Sequence, residues 1–286
     1  MDGTQKVIQK LEPNIECQIK TINQDKAETF GSNIAQAAIN KTNPDLSFAP
    51  VDTFPRGVCE LLHLKYLKMT GTKVGVFPKS IKKLRNLEIL DLRCIAVTKL
   101  PIQLGELQKL RYLIVDRYWG NGFKVPTNIG NLSSLQKLGT IDASGSNGNI
   151  IMGEVGMLTQ LNTLYITKLR REDNVTLCSS LAKLSNLRSL YVSLIFMEES
   201  ELEFLQLPSL SSCPSSLQKL FLDGPLEKEP HWIPSLQILV RLQLEGSKLR
   251  NEELQCLQDL PIFWNLNSLV RRALERVCLS GLEGFR

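Results

Sequence analysis

The sequence has few histidines, and it lacks the spacings on which several common catalytic and metal sites are built. Histidine occurs only twice, as His63 and His231, and no H-E-x-x-H pair is present, so a histidine-based metal site is not expected. The phosphate-binding pattern G-x-x-x-x-G-K-[ST] and the nucleophile pattern G-x-S-x-G are also absent. We therefore predict no catalytic residues, no metal site and no bound cofactor.

Long apolar runs and paired cysteines are missing as well. No run approaches the roughly 18 residues that a membrane-spanning helix needs. Residues 1–25 also lack the apolar core of a secretion signal. The seven cysteines are scattered without any C-x-x-C pair, which favours thiols in a reducing compartment over a disulfide framework. We expect a cytoplasmic protein with no membrane partner.

Leucine, in contrast, recurs at a regular interval. Residues 87–107 contain an L-x-x-L-x-L strand pattern and an apolar returning segment that includes Pro101, and residues 64–84 carry the same pattern 23 positions earlier. A period of about 20–29 residues with this spacing is the signature of leucine-rich repeats. The pattern begins eight times along the chain, at Leu64, Leu87, Leu110, Leu135, Leu161, Leu187, Leu217 and Leu239.

This repeat predicts the fold class, an α/β repeat forming a leucine-rich-repeat solenoid. A curved parallel β-sheet is expected on the concave face, with short helices, 3₁₀ turns and loops on the convex face. Returning segments that contain proline predict 3₁₀ turns, whereas the spacing of Leu177, Leu181 and Leu184 predicts a helix over residues 174–187. The glycine-rich stretch 139–156 predicts a mobile insertion.

Two repeats and one repeat position depart from the regular pattern. Residues 54–64 read as the convex half of a repeat whose own strand is missing. In the fourth repeat Thr140 stands where an apolar residue is expected, and Ile141 follows it. The asparagine that usually ties successive turns together is absent from the ninth position of the units.

The repeat pattern divides the chain into three parts. Residues 1–50 do not share it, and we expect a non-repeat leader that is loosely helical or partly disordered. Residues 51–269 form the leucine-rich-repeat domain of about eight repeats. Residues 270–286 leave the pattern again and are expected to form a tail or a C-terminal cap.

Side chains that alternate along the strands should project into the hollow of the solenoid. Four of the five tyrosines fall in this row, and tyrosine and arginine dominate the energetics of protein-binding surfaces. The alternative is that strands favour tyrosine in any case. Nucleic acid is an unlikely partner because aspartates interrupt the row. The predicted protein-binding residues are Tyr66, Lys68, Asp91, Arg93, Tyr112, Asp116, Arg117, Tyr165, Lys168, Tyr191, Phe221 and Arg241.

Positive charge is concentrated in the first repeats. Residues 57–120 hold 12 lysines and arginines against 5 acidic residues, whereas the rest of the chain is nearly balanced. The repeat pattern by itself does not account for this local excess. The residues of this predicted basic patch are Lys65, Lys73, Lys79, Lys82, Lys83 and Arg85.

The repeats also resemble a known family at the level of whole units. The run LLHLKYLKMTGTKVGVFPKSIKKLRNLEILDLRC is similar to the first repeats of plant intracellular disease-resistance receptors of the coiled-coil, NB-ARC, leucine-rich-repeat class. Trp232, Ile233 and Leu236 match a turn of the same class. The resemblance covers residues 51–269 and leaves out the coiled-coil and NB-ARC parts.

This resemblance implies a role in recognition. In that class the repeat domain binds a pathogen effector or a guarded host protein, and its first repeats restrain the NB-ARC domain, which here would act in trans. We therefore expect a non-enzymatic protein-binding module of the defence response. Two alternatives stay open, an intracellular signalling scaffold built of leucine-rich repeats and a non-functional truncated paralogue.

Overall fold

The computed structural model describes residues 45–115, 122–194, 214–226, 232–247 and 249. Within them, eight strands form a single parallel sheet in which strand order follows chain order. The predicted leucine-rich-repeat solenoid is confirmed. The strands are β1 (Tyr66–Lys68), β2 (Ile89–Asp91), β3 (Tyr112–Ile114), β4 (Lys137–Asp142), β5 (Thr163–Leu169), β6 (Ser189–Leu194), β7 (Lys219–Asp223) and β8 (Arg241–Glu245).

The leucine triad of each repeat forms the core behind the sheet. Leu67, Leu90 and Leu113 stand opposite one another in consecutive strands, and none of them is exposed. The corresponding residues of the other repeats are at most 8% exposed. Each buried leucine contributes about 1.5–3 kcal/mol, so stability is spread along the array rather than held at one centre.

The returning segments differ according to their sequence. Pro55, Pro78 and Pro101 each immediately precede a 3₁₀ turn, which confirms that the proline-containing segments are short turns. The 3₁₀ segments are Arg56–Glu60, Lys79–Lys83, Ile102–Glu106, Ile129–Asn131, Arg171–Asp173 and Ile233–Ser235. The α-helices are α1 (Gly148–Val155) and α2 (Asn174–Leu181). The helix expected over residues 174–187 is thus confirmed, although it ends at Leu181.

The mobile insertion expected over residues 139–156 is wrong. The first four of these residues belong to β4, and helix α1 begins at Gly148. Ile151, Met152 and Val155 bury one face of α1, and the Ser180 hydroxyl donates a hydrogen bond to the Met152 carbonyl at 2.7 Å. Because glycine and polar residues are frequent in this stretch, the sequence pattern does not indicate the short apolar face of α1. The next repeat covers this face.

The weak triad of the fourth repeat has a geometric cause. The pairing of β4 with β5 shifts between Leu138 and Ile141, so that Ile141 completes the triad and Thr140 is taken up by a bulge. Gly139 lies against the preceding strand, where a Cβ atom would come within 2.4 Å of the Val115 carbonyl oxygen. Glycine is needed here because of this close approach.

The first edge of the sheet corrects a second expectation. The Leu46 amide donates to the Lys68 carbonyl at 2.8 Å, and the Phe48 amide donates to the Thr70 carbonyl at 2.7 Å. Leu46 is 2% exposed. The repeat of residues 54–64 therefore has an extended segment in the place of its strand. Residues 1–44 and 270–286 lie outside the described residues, and the division at residues 50 and 269 stays a prediction.

The buried triad should determine stability. We expect Leu113→Ala to lower the free energy of unfolding by about 2–5 kcal/mol, because it removes a fully buried side chain and leaves a cavity. Ile102→Ala, at a position 54% exposed, serves as the control and should change it by less than about 0.5 kcal/mol. Urea unfolding of both variants measures the difference, and equal effects would contradict the described packing.

Candidate protein-binding face

The concave face carries side chains in rows that run across the strands. One row, at the start of the strands, is formed by Tyr66, Ile89, Tyr112, Lys137, Thr163, Ser189, Lys219 and Arg241. A central row is formed by Lys68, Asp91, Ile114, Tyr165, Tyr191, Phe221 and Gln243. The β4 bulge interrupts the central row between Ile114 and Tyr165. The rows place most of the predicted binding residues on one surface.

Three aromatic residues of the central row, Tyr165, Tyr191 and Phe221, stack on one another and form what we call the aromatic ladder. The ring centroids of Tyr165 and Tyr191 are 5.8 Å apart, and those of Tyr191 and Phe221 are 4.5 Å apart with an angle of 26° between the planes. Such pairs contribute about 0.5–1.5 kcal/mol beyond the area they bury. All three side chains remain partly exposed, so the ladder presents a rigid apolar surface.

The hydroxyl of Tyr191 is held in a defined state. It donates a hydrogen bond to Asp223 Oδ2 at 3.4 Å. Burial, together with the nearby Asp223 charge, raises the pKa of Tyr191 to about 12. The hydroxyl therefore stays protonated at neutral pH and acts as a donor.

The other two predicted tyrosines lie apart from the ladder. The Tyr112 hydroxyl donates to Gln136 Oε1 at 3.0 Å, and the Arg111 guanidinium lies 5.8 Å from the Tyr112 ring centroid. Ile89 stands between Tyr66 and Tyr112 in the register. The predicted residues Asp116 and Arg117 lie outside the described residues.

Most of the predicted cations of this face are already paired within the chain. Arg93 binds the buried Asp91 through two nitrogens, at 2.8 and 3.0 Å. Asp45 and Asp142 likewise form ion pairs with lysines of the following repeat, Lys68–Asp45 at 3.2 Å and Lys168–Asp142 at 3.1 Å. Arg241, by contrast, is exposed and makes no ion pair with any described residue. It is the predicted cation most available to a partner.

The predicted basic patch is also partly neutralised. Its ion pairs are Lys65–Glu88 at 3.1 Å, Lys82–Glu106 at 3.8 Å and Lys83–Glu60 at 2.7 Å. Lys73, Lys79 and Arg85 make none within the described part of the chain. The patch covers a convex 3₁₀ turn and both ends of β1, since Lys65 precedes this strand and Lys73 follows it. Its role as a docking surface stays a prediction.

An aspartate turn at the carboxyl end of the strands was not anticipated from the sequence. In each case the carboxylate accepts a hydrogen bond from the backbone amide two residues later, which closes a tight turn. The pairs are Asp45–Ser47 at 2.9 Å, Asp91–Arg93 at 3.3 Å and Asp142–Ser144 at 2.8 Å. The sequence signal was present in the segments DLSF, DLRC and DASG.

The residue after each of these turns has a left-handed backbone. The φ angles of Phe48, Cys94 and Gly145 are 58°, 55° and 112°. Because the left-handed region is unfavourable for residues with a Cβ atom, the turn must be held by other contacts. The aspartate hydrogen bonds supply such contacts and direct the chain away from the sheet.

The carboxyl of Asp142 is stabilised in its ionised form. Burial by itself would raise the pKa of Asp142, but hydrogen bonds from the Ser144 hydroxyl and amide and the nearby Lys168 ammonium lower it below its usual value. Asp45 has its pKa lowered in the same way, with Ser47 and Lys68 as its partners. Both carboxylates therefore stabilise the folded chain only while they are charged.

Asparagines tie the repeats together, two of them just before a strand (Asn86 and Asn186) and one at a 3₁₀ turn (Asn128). Their side-chain amides donate to a backbone carbonyl of the preceding repeat, in Asn86–Leu62 at 2.9 Å, Asn128–Ile102 at 3.0 Å and Asn186–Thr159 at 3.0 Å. At the ninth position, where asparagine is absent, Ile95, Ala143 and Leu169 are buried instead. The tie between turns is therefore present but lies elsewhere in the unit.

Comparison with known proteins agrees with this architecture. A family model described as "Leucine-rich repeat region" matches residues 53–286. The chain belongs to the leucine-rich-repeat family. Members of this family are typically non-catalytic modules for protein interaction. A leucine-rich-repeat protein of Leptospira interrogans is 24% identical, with a TM-score of 0.51 over 78% of this chain and 59% of that chain, which shows the fold alone.

Plant disease-resistance proteins are among the proteins whose sequences are similar to this leucine-rich-repeat chain. Pik-2 of Oryza sativa subsp. japonica is 24% identical over 292 residues, covering 84% of this chain and 28% of Pik-2. RPM1 of Arabidopsis thaliana is 33% identical over 162 residues, covering 54% of this chain and 16% of RPM1. The expected resemblance to the repeat region of plant disease-resistance proteins is confirmed. The chain spans less than a third of the length of these relatives.

Neither a metal-binding cluster nor a membrane-spanning helix occurs among the described residues. No group of three or more histidine, cysteine, aspartate or glutamate side chains within them is arranged to hold a metal ion. None of the helices in the described part of the chain has the length and apolarity to cross a membrane.

The aspartate turn should make stability depend on pH. Because the folded pKa of Asp142 lies below the ordinary value of 3.8, its ionised carboxyl stabilises the folded state above that pH. This contribution is lost as the pH falls through the folded pKa. We expect Asp142→Asn to be less stable than the wild type at neutral pH, with a difference that shrinks in strong acid.

Urea unfolding at a series of pH values measures this difference. The exposed Asp52 offers a matched control, since Asp52→Asn should change stability little at any pH. A loss in Asp142→Asn that is the same at neutral and acid pH would show that the charge of Asp142 has no part in the effect.

Proposed function

We propose that this chain is a non-enzymatic, protein-binding module of the plant defence response, acting in the cytoplasm. Its concave face would contact a pathogen effector or a guarded host protein. The names of its relatives, which are disease-resistance proteins of rice and Arabidopsis thaliana, support the defence role. The free thiols of Cys59, Cys94 and Cys178 support a reducing compartment.

The aromatic ladder is the observation that carries the proposal. Strand propensity accounts for single tyrosines on a sheet, but the ladder adds an ordered stack at one register of three adjacent strands. The rings are held by one another, so that little rotamer freedom is lost when a partner covers them. Aromatic anchors of this kind supply most of the binding energy in protein interfaces.

The charges of the face favour a protein partner over nucleic acid. A nucleic-acid groove needs cations that are free to contact phosphates. Here Arg93, Lys68 and Lys168 are committed to carboxylates of the chain itself. Lys219 and Arg241, which make no ion pair with a described residue, stand on the same strands as the acidic Asp223 and Glu245, which would repel phosphates. The charges of the concave face therefore disfavour nucleic acid as a partner.

Docking of the basic patch on an NB-ARC domain in trans is a second candidate partner contact. It draws on the excess of positive charge in the first repeats and on the exposed Lys73, Lys79 and Arg85. Its support is weaker than that of the ladder, because an acidic partner would have to displace Glu60, Glu88 and Glu106 from the other lysines. The signalling scaffold and the truncated paralogue stay as alternatives, although repeat intervals of 22 to 30 residues speak against the uniform period of the scaffold class.

Affinity capture from infected plant tissue tests the proposal. The wild-type chain is compared with the double variant Tyr165→Ala/Tyr191→Ala and with the convex control Ile150→Ala/Val175→Ala, whose target residues are 53% and 74% exposed. We expect the ladder variant to reduce recovery of the specific partners at least about tenfold, as truncation of central aromatic anchors does. The control should retain them.

Thermal unfolding is measured first, to check that both double variants are folded before they are used for capture. A Tyr191→Phe variant retains the ring and should bind nearly as well as the wild type. Equal capture by the ladder variant and the wild type would exclude the aromatic ladder as the binding surface.

A further inference from the structure

Strands β7 and β8 carry an ordered distribution of charge at one end of the aromatic ladder. Lys219, Phe221 and Asp223 project from β7 at alternate positions, and Arg241, Gln243 and Glu245 stand opposite them on β8. From the amino to the carboxyl end of these strands, the face therefore changes from cationic through aromatic or amide to anionic. On these two strands the amino-end position carries only cations and the carboxyl-end position only acids.

The cations at the amino end are free to act on a partner. Lys219 and Arg241 are exposed, and neither makes an ion pair with a described residue. Arg188, which directly precedes β6, is also exposed and makes no ion pair with a described residue. In the first repeats, by contrast, the cations of the concave face are held by Asp45 and Asp91. Positive charge that can attract a ligand is thus concentrated beside the ladder.

The acids at the carboxyl end have only weak neutral partners. Asp223 accepts the Tyr191 hydroxyl at 3.4 Å, and Glu245 accepts the Gln243 amide at 3.5 Å. Neither carboxylate makes an ion pair with any residue that the structure describes. Their charge is uncompensated, so a basic group of a partner would be favoured there.

A shallow cavity between these rows limits the size of the ligand. It has a volume of about 150 Å³ and is lined by Tyr165, Tyr191, Lys219, Phe221, Arg241 and Gln243, among others. Sites for drug-sized molecules are larger, at roughly 300–1,000 Å³. The cavity suits one inserted side chain of a polypeptide that continues across the surface.

We propose that the β6–β8 end of the concave face binds an extended segment of a partner protein with alternating acidic, aromatic and basic side chains. Alternate residues of an extended chain lie about 6.6 Å apart, at twice the rise of about 3.3 Å per residue. The same spacing separates Lys219, Phe221 and Asp223, which lie on a strand. A segment of the form acid-x-aromatic-x-base therefore matches all three rows at once.

This inference rests on the proposed function and names the chemistry of the partner. The acid pairs with Lys219 and Arg241, the aromatic ring contacts Tyr191 and Phe221, and the base pairs with Asp223 or Glu245. A single nucleic-acid strand could stack on the ladder as well. Its phosphates, however, would be repelled by the acidic row that follows the ladder directly.

A labelled peptide, Ser-Asp-Thr-Tyr-Thr-Lys-Ser, tests the inference by fluorescence anisotropy with the full chain. We expect the double variant Lys219→Glu/Arg241→Glu to weaken binding at least about tenfold, since two pairings become repulsions. The control Lys99→Glu/Lys183→Glu makes the same change of net charge at two exposed lysines away from the ladder and should leave binding unchanged.

Exchange of the peptide charge provides the decisive comparison. The peptide Ser-Lys-Thr-Tyr-Thr-Lys-Ser should bind the wild type poorly and the Lys219→Glu/Arg241→Glu variant better. Absence of peptide binding to the wild type, equal losses in the two double variants, or failure of the exchanged peptide to recover binding would each overturn the inference. If capture from plant tissue still depends on Tyr165 and Tyr191, the proposed function survives that result.

Discussion

Each repeat depends on its neighbour to keep its leucine triad away from water. A single unit offers only one apolar face, and this face is buried because the next unit covers it. Since side chains alternate along a strand, a slip of one residue would turn the triad outward and the polar residues inward. The triad therefore fixes the register of the whole sheet. The interval between repeats varies from 22 to 30 residues, yet Leu190, Leu220 and Leu242, which are 30 and 22 positions apart, still stand opposite one another in consecutive strands.

Variation in repeat length is absorbed by the returning segments and by one bulge. The longer units place helices α1 and α2 on the convex side, and the fourth unit takes up an extra residue in the β4 bulge. Aspartate turns at one end of the strands and asparagine ties such as that of Asn186 at the other hold the connecting chain in place. With both ends fixed, the concave rows are free to vary in chemistry without loss of the fold.

The concave face uses this freedom unevenly. In the first repeats Arg93 is neutralised by Asp91, and the surface offers little net charge. Toward β7 and β8, Lys219 and Arg241 remain unpaired among the described residues beside the stacked rings. The excess of positive charge in the first repeats is thus a poor guide to where, on the concave face, charge can act on a partner.

Features that follow from apolar periodicity could be predicted from the sequence. The triads, the proline-led 3₁₀ turns and helix α2 all belong to this group. Helix α1 escaped because its buried face, with Ile151 and Met152, is short and lies among glycines. The edge segment at Leu46 was not predicted because one buried leucine, with backbone hydrogen bonds to β1, does not make a repeat pattern. Ion pairs such as Lys168–Asp142 link residues 26 positions apart, so they depend on side-chain geometry that composition does not show.

A double-mutant cycle between Tyr191 and Phe221 tests most directly whether the leucine triads set the rows in register. The free energies of unfolding of Tyr191→Ala, Phe221→Ala and the double variant are measured in urea, with Tyr66→Ala and Phe221→Ala as a distant control pair. Rings stacked at 4.5 Å should be coupled by about 0.5–1.5 kcal/mol, whereas the control pair should be additive. Additive effects of Tyr191 and Phe221 would mean that these side chains do not meet, and would contradict the account.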